Sequence, residues 1–297
     1  MTEYTHVAIV AAPQGHEIDS TIARDIIASV GGIQGPVHTL GDHSPAIEIA
    51  HSGAATLPDA LASAYKGAAD TAVVPTANRR KRLLICDMDS TIIEQECLDE
   101  LADYAGLKAE ISVITERAMR GELDFEGALT ERVSMLRGLS LDALAQCFAE
   151  RITLAPGAKT LVATMARHGA RCVLVSGGFT YFTERVAEAA GFHAHRGNTL
   201  IDDGAALTGE VGRPILGREA KLTALDEEAA ALGLSRGDAL CMGDGANDLA
   251  MITAAGLGLA VHAKPVVAEQ ADAAVSMTDL TTALYIQGYT EADFVAG

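Results

Sequence analysis

Apolar positions along this chain follow two different rhythms. Over residues 1 to 76, "HVAIVAA" reads as a strand, and Ile18 to Val30 carries apolar residues at helical spacing. "GPVHTLG" and "PAIEIAH" read as two short strands, "LPDALASAYKG" as a second helix and "DTAVVP" as a closing strand. The order βαββαβ predicts a ferredoxin-like α+β unit. From residue 83 onward the runs "RLLICD", "RCVLVS" and "DALCMGD" are continuously apolar, and each is followed by Gly, Ser or Asp and then a helical pattern. Continuous rather than alternating hydrophobicity predicts strands buried on both faces, hence an α/β, Rossmann-like parallel sheet with helices on both sides. Leu98 to about Ile152 is mostly amphipathic helix, too long for an ordinary crossover, and reads as an inserted helical cap. "NTLIDDGAALTGEVG" reads as a hairpin between the second and third of these strands. The predicted organisation is therefore a small unit at 1–76, a basic linker at 77–82 and an α/β domain at 83–297 with a cap at about 98–152.

Composition narrows the class. The chain has 297 residues, 49% of them apolar but only 4% aromatic, which still suffices for a folded core at this length. A formal charge of −18 disfavours nucleic acid as a partner, because such a surface repels a phosphate backbone. The one dense basic run, Arg79, Arg80, Lys81 and Arg82, reads as a solvated linker. Cys86, Cys97, Cys147, Cys172 and Cys241 form no CxxC pair and suit buried thiols in a reducing compartment. His6, His16, His38, His43 and His51 have no ligand spacing, and the pair His193 and His195 lacks further ligands. No basic leader or long apolar segment opens the chain, so no membrane association and a cytoplasmic location are expected.

The polar residues with chemical potential gather at strand ends. The first α/β strand stops at Asp87 and Asp89, the second at Ser176, Gly177 and Gly178, and the third at "GDGAND", which supplies Asp244, Asn247 and Asp248. In an open parallel sheet, ligands bind beyond the carboxyl ends of the strands. Four carboxylates crowded there would repel one another by about 4 kcal/mol per pair at ~4 Å and an effective dielectric near 20. A divalent cation relieves that repulsion, and oxygen-only ligands beside a phosphate favour Mg²⁺. Ser176 and Gly177 offer a hydroxyl and backbone N–H groups to an anion at a strand-to-helix turn. Cation, anion cradle and free carboxylate together describe phosphoryl transfer through an aspartyl-phosphate. In that reading Asp87 attacks phosphorus and Asp89 serves as acid and then base.

"DMDST", "VSGGF", a later lysine and "GDGAND", in that order, resemble the haloacid dehalogenase superfamily of phosphatases. The longer strings "CDMDSTIIEQECLDELA", "FEGALTERVSMLRGL" and "VSGGFTYF" are similar to its phosphoserine-hydrolysing branch. The resemblance covers about residues 83 to 290, and the element order of the first 76 residues resembles an ACT-type regulatory domain. It implies Asp87 as nucleophile, Asp89 as acid/base, and Mg²⁺ held by the Asp87 carboxylate, the Asp89 main-chain oxygen and Asp244. It further implies Asp248 as an outer orienter and Lys221 as the cation that neutralises the phosphate, with Arg218 the competing choice. Glu96 would pair with a substrate ammonium and Arg132 with its carboxylate, Glu94 and Arg137 being the neighbouring alternatives. Ser176, Gly177 and Asn247 would complete the substrate contacts. The implied activity is hydrolysis of phosphoserine, the last step of serine synthesis. An amino-acid effector at the first domain and a homodimer are implied only by the habits of ACT-type domains. Two other readings share the motifs: a phosphatase of another small phosphate ester, and an inert sensor.

Overall fold

The computed structural model describes residues 4–41, 45–53, 55–119 and 122–296; His43 lies outside them. The chain opens with β1 (His6–Ala11), α1 (Ser20–Ser29), β2 (Ile33–Gly41), β3 (Ala46–Ser52), α2 (Leu57–Ala64) and β4 (Asp70–Pro75). These strands are antiparallel in the order β2-β3-β1-β4. Alternation sorts their two faces. Ala8, Val10, Ile47 and Ile49 pack under the helices with Ile27, Leu57 and Leu61, while Val7, Ile9, Ala46 and Val74 join the main core.

β5 (Leu83–Cys86) begins the second part. Four helices follow before the next strand: α3 (Cys97–Tyr104), α4 (Lys108–Met119), α5 (Phe125–Met135) and α6 (Leu141–Arg151). Then come α7 (Ala158–Arg167), β6 (Arg171–Phe179), α8 (Thr180–Ala190), β7 (Ala194–Asn198), β8 (Leu200–Asp202) and β9 (Leu207–Val211). The chain ends through α9 (Glu219–Ala231), β10 (Ala239–Gly243), α10 (Leu249–Ala254), β11 (Leu257–Val261), α11 (Pro265–Ala268), β12 (Ala273–Val275) and α12 (Thr282–Ile286). Strands β12-β11-β10-β5-β6-β7 pair in parallel, as continuous apolar runs predict. Leu84 and Cys86 face the core beneath α7 and α8, and Leu83 and Ile85 face Ala224, Leu225 and Met251 on the other side. All five cysteines are free and buried. No helix among the described residues is long and apolar enough to cross a membrane.

Three features depart from the sequence pattern. The two rhythms share one ten-stranded sheet, joined where β4 pairs antiparallel with β12 at Ala72 and Ala273. The basic run is only partly a solvated linker: Arg80 and Arg82 are exposed, but Arg79 and Lys81 are not. Arg79 donates to the carbonyls of Ile286 at 2.7 Å and Tyr285 at 2.9 Å and pairs with Glu48 at 2.5 Å. Lys81 is buried, its Nζ donating to the carbonyls of Asn78 and Gly237, and Arg80 lies 4.2 Å over the Tyr289 ring. Cations are favourable beside helix-end carbonyls, and their aliphatic stems cover apolar surface. Finally, the β8–β9 hairpin belongs to the cap side: Gly138 N–H donates to Leu207 O at 2.8 Å and Leu141 N–H to Ala205 O at 3.0 Å.

Asp70 seals the junction. Its carboxylate accepts the N–H groups of Ser276, Met277 and Thr278 and the Thr278 hydroxyl, at 2.6 to 3.1 Å. Replacing Asp70 with Ala strands these donors. The expected cost is about 3 kcal/mol, measured as a lowered midpoint in urea unfolding, whereas an unchanged midpoint would show that the junction carries little stability.

Candidate active site

β10, β5 and β6 lie side by side, and their carboxyl ends open on one crevice. Asp87 follows β5 directly. Its N–H donates to Met242 O at 2.9 Å, so the neighbouring strand fixes where the side chain starts. Its Oδ1 accepts the Met88 N–H at 2.8 Å and pairs with Lys221 Nζ at 2.7 Å. Lys221, in the first turn of α9, is 4% exposed and also contacts Asp248 Oδ1 at 2.5 Å. Asp248 is fully buried, with Oδ2 accepting the Gly245 N–H at 3.0 Å. Gly243 makes room for it, since a Cβ there would fall 2.3 Å from Asp248 Cγ. Of the two cations weighed for this position, Lys221 reaches the aspartates, and Arg218 stands at the N-cap of α9.

Asp89 joins cap to core. Its Oδ1 accepts the N–H of Cys97, the first residue of α3, at 2.8 Å. Its Oδ2 accepts the Ser176 hydroxyl at 2.9 Å, and Ser176 Oγ in turn accepts the Gly178 N–H at 2.8 Å. The expectation of a turn at Ser176 to Gly178 is modified. β6 stays extended to Phe179, held by pairing of Phe179 with Asn198 of β7, and α8 starts only at Thr180. The anion-facing N–H groups are therefore those of an extended strand end. Gly177 also lies under the Phe125 ring, where an added Cβ would come within 3.3 Å.

Glu96 flanks α3, and its Oε1 accepts the Ser90 hydroxyl at 2.7 Å. Ser90 adopts a left-handed backbone, φ 52°, which brings its side chain back toward Glu96. Arg132 is half-buried on α5, and the carboxylates of Asp99 and Glu96 favour its charge although burial opposes it. The surface partners available to it are already taken: Glu131 pairs with Arg117 at 2.8 Å and Glu126 with Arg213 at 2.7 Å. Glu94 instead accepts the Thr153 hydroxyl at 2.8 Å, and Arg137 packs on Gly209 of the hairpin. Asn247 is exposed in the loop between Asp244 and Asp248.

The crevice is electrostatically strained. Burial, then Asp87, pushes Asp89 upward, and the same two causes raise Asp244 to about 6. Glu96 reaches solvent, yet desolvation by the crevice walls and then the Asp89 charge push it up to about 7. Asp248 is raised by burial and Asp87 against the pull of Lys221, while Lys221 is held protonated because both aspartates outweigh its own burial. Carboxylate oxygens of Asp87, Asp244 and Asp248 all lie within 4.8 Å of one another. An oxygen-only set of this kind fits a hard divalent cation. His193 and His195 take no part: His193 Nδ1 accepts the Cys172 N–H, and His195 Nδ1 bonds Thr183.

Two residues here escaped the motif reading. Ser90, inside "DMDST", carries no sequence signal for its bond to Glu96. Asn198 is 2% exposed and ties Gly177 O, at 2.8 Å, to both backbone groups of Leu216 ahead of the lysine helix. Only its polarity at the head of the hairpin could have flagged it.

Substituting Lys221 with Met should cost about 3–5 kcal/mol by leaving two buried carboxylates unpaired, seen as a lower denaturation midpoint. The pH response follows from the raised carboxyl groups. Asp89, Asp244, Asp248 and Glu96 bind protons more readily folded than unfolded, so their repulsion is relieved as pH falls. In chelator, the thermal midpoint should rise between about pH 7.5 and about pH 6. A divalent cation should raise it at the upper pH and flatten this dependence; a midpoint falling over the same interval would contradict the crowding described.

The chain is similar to known proteins over most of its length. A family model for haloacid dehalogenase-like hydrolases matches residues 84–253. A phosphoserine phosphatase of Streptomyces coelicolor is 40% identical over 296 residues, covering 98% of this chain and 72% of that protein. One from Archaeoglobus fulgidus is 44% identical over 205 residues, covering 69% of this chain and 59% of that protein. The crystal structure of a probable phosphoserine phosphatase from Vibrio cholerae superposes with a TM-score of 0.78 at 28% identity, over 96% of this chain and 86% of that one. With more than half its length matched, this chain belongs to the haloacid dehalogenase-like hydrolase family.

Proposed function

We propose that the chain is a Mg²⁺-dependent phosphoserine phosphatase that releases L-serine and phosphate in the last step of serine synthesis. The observation that carries this reading is the meeting of Asp87 and Asp89 after β5, Ser176 of β6 and Asp248 after β10 with Lys221 of α9, while Glu96 and Arg132 lie close enough on the cap side for their charges to interact. The relatives named above support the substrate.

Asp87 Oδ2 attacks phosphorus, since Oδ1 is committed to Lys221 and the Met88 N–H. The bond from phosphorus to the serine oxygen breaks, and Asp89 supplies the proton to that oxygen. The proton leaves from Oδ2 of Asp89, which as a carboxylic O–H can still accept the Ser176 hydroxyl, while Oδ1 stays on the Cys97 N–H. Burial and Asp87 favour this protonated form. Asp89 then takes a proton from water, whose oxygen attacks the aspartyl-phosphate and returns Asp87 as a carboxylate. Lys221 and the N–H groups near Ser176 hold the phosphoryl oxygens. Asp87, Asp244 and the Asp89 main-chain oxygen would hold Mg²⁺, which when bound neutralises charge on the phosphoryl group. Asp248 keeps Lys221 aimed at the site.

Glu96 receives the substrate ammonium and Arg132 its carboxylate in a two-pronged pair. Asn247 adds a polar contact at the mouth. Cap closure through the Asp89–Cys97 link excludes bulk water. The cytoplasm suits five free thiols. Pairing of the N-terminal units between chains, and an amino-acid effector on them, complete the reading.

A panel of small phosphate esters, with and without Mg²⁺, tests it: phosphoserine should lead, and Asp87→Asn should stop turnover. Asp89→Asn should slow it by about 10²–10⁴. Glu96→Gln and Arg132→Ala should each cut kcat/KM for phosphoserine by about 10–100-fold and spare esters lacking amine and carboxylate; equal losses on all esters would point to another substrate. Glu96 also gives a pH signature. As it protonates below about 7, the preference for phosphoserine over an ester without the amine should decline, and in Glu96→Gln that preference should not change with pH.

A further inference from the structure

The anion cradle at the end of β6 is a bulge. Between the pairs Val175–Arg196 and Phe179–Asn198, the three residues Ser176, Gly177 and Gly178 stand opposite Gly197 alone on β7. Extra residues in one strand cannot all join the ladder, and such bulges re-aim side chains beside active sites. The two strands are pressed together here. A Cβ on Gly197 would lie 3.2 Å from Gly178 O, and one on Gly178 would lie 3.2 Å from Asp89 Oδ2. Backbone groups that the ladder leaves over need partners elsewhere. Asn198, 2% exposed, supplies one, its Nδ2 donating to Gly177 O at 2.8 Å.

That bond fixes a direction. The Gly177 carbonyl and the Gly178 N–H belong to one planar trans peptide, so they point opposite ways. With the carbonyl held toward β7, the N–H turns to the other side and donates to Ser176 Oγ at 2.8 Å. Ser176 Oγ, having accepted that hydrogen, aims its own at Asp89 Oδ2, 2.9 Å away. The remaining bonds of Asn198 run to a different segment. Its Oδ1 accepts the Leu216 N–H at 2.7 Å, and Nδ2 also donates to Leu216 O at 3.2 Å. Leu216 lies just ahead of α9, whose first turn carries Lys221. One buried amide, satisfied as donor and acceptor, thus joins the support of Asp89 to that of Asp87.

We infer that Asn198 is a positioning residue for the crevice. It locks the Gly177–Gly178 peptide in the orientation that aims Ser176 at Asp89, and it sets the start of the lysine helix against the same bulge. It acts through Ser176 and Lys221 rather than on substrate. The kinetic consequence rests on the phosphatase reading above; the orientation of the peptide does not.

Two variants of the full-length chain separate the hydrogen bonds of Asn198 from its bulk. Asn198→Ala removes all three contacts. Asn198→Asp keeps the size and the acceptor for the Leu216 N–H, but sets an oxygen against the Gly177 and Leu216 carbonyls. Both should lower kcat for phosphoserine by about 10–100-fold, with KM within about threefold of wild type because Glu96 and Arg132 are untouched. Amide exchange followed by NMR gives a readout free of turnover. Gly178 should exchange about tenfold faster in both variants, while Cys97, on the other oxygen of Asp89, should be unchanged. Asp70→Ala, destabilised outside the crevice, is the control and should keep the wild-type kcat. A kcat near wild type in either variant, a loss confined to KM, unchanged exchange at Gly178, or equal acceleration at Gly178 and Cys97 would each overturn the inference. Were the wild type to hydrolyse no phosphate ester, the phosphatase reading would fall, and the exchange rates alone would decide this one.

Discussion

The buried triad of Asp87, Lys221 and Asp248 is the constraint on which the rest depends. A lone ammonium at 4% exposure would lose its proton or its place, and two carboxylates so close would do the same. Together each makes the others tolerable. At 2.7 Å and an effective dielectric near 20, one such contact is worth ~6 kcal/mol before desolvation is counted. The triad also draws α9, β5 and the loop after β10 to a single point, so the ends of β5 and β10 cannot drift apart without breaking it. Gly243 shows how tight that convergence is, since even one methyl group there would collide with Asp248.

Asp89 extends the constraint into the cap. One carboxylate holds both the first N–H of α3 and the hydroxyl at the end of β6. The residue proposed to exchange a proton with substrate is thus also the one that touches the cap. Its neighbours Ser90 and Glu96 continue the same chain of contacts, through the bond from the Ser90 hydroxyl to Glu96, toward the proposed ammonium site. Chemistry and cap position are coupled through adjacent residues rather than through a long path.

Much of this was legible in the residues. Continuous apolar runs announced a doubly covered sheet because strands buried on both faces have no side that must stay polar, and the acids appeared where those runs stopped. Glu96 and Arg132 needed the resemblance, since an acid near a helix start and an arginine on a helix have ordinary structural uses. The join of β4 to β12 was not legible, because backbone pairing between edge strands leaves no side-chain signature. Arg79 and Lys81 misled for a related reason: four cations in a row look solvated until helix-end carbonyls and Glu48 are seen around them. Asn198 and the hairpin's place on the cap depend on contacts between distant segments, which spacing along a chain does not encode.

The central claim is that Asp87, held by Lys221, becomes the phosphoryl carrier. The most direct measurement is mass spectrometry of protein mixed with phosphoserine and Mg²⁺ and quenched in acid during turnover. A phosphoryl group on the peptide bearing Asp87, and none in Asp87→Asn, is the expected result. Steady turnover with that peptide unmodified, or a phosphoryl group on Ser176 instead, would contradict it.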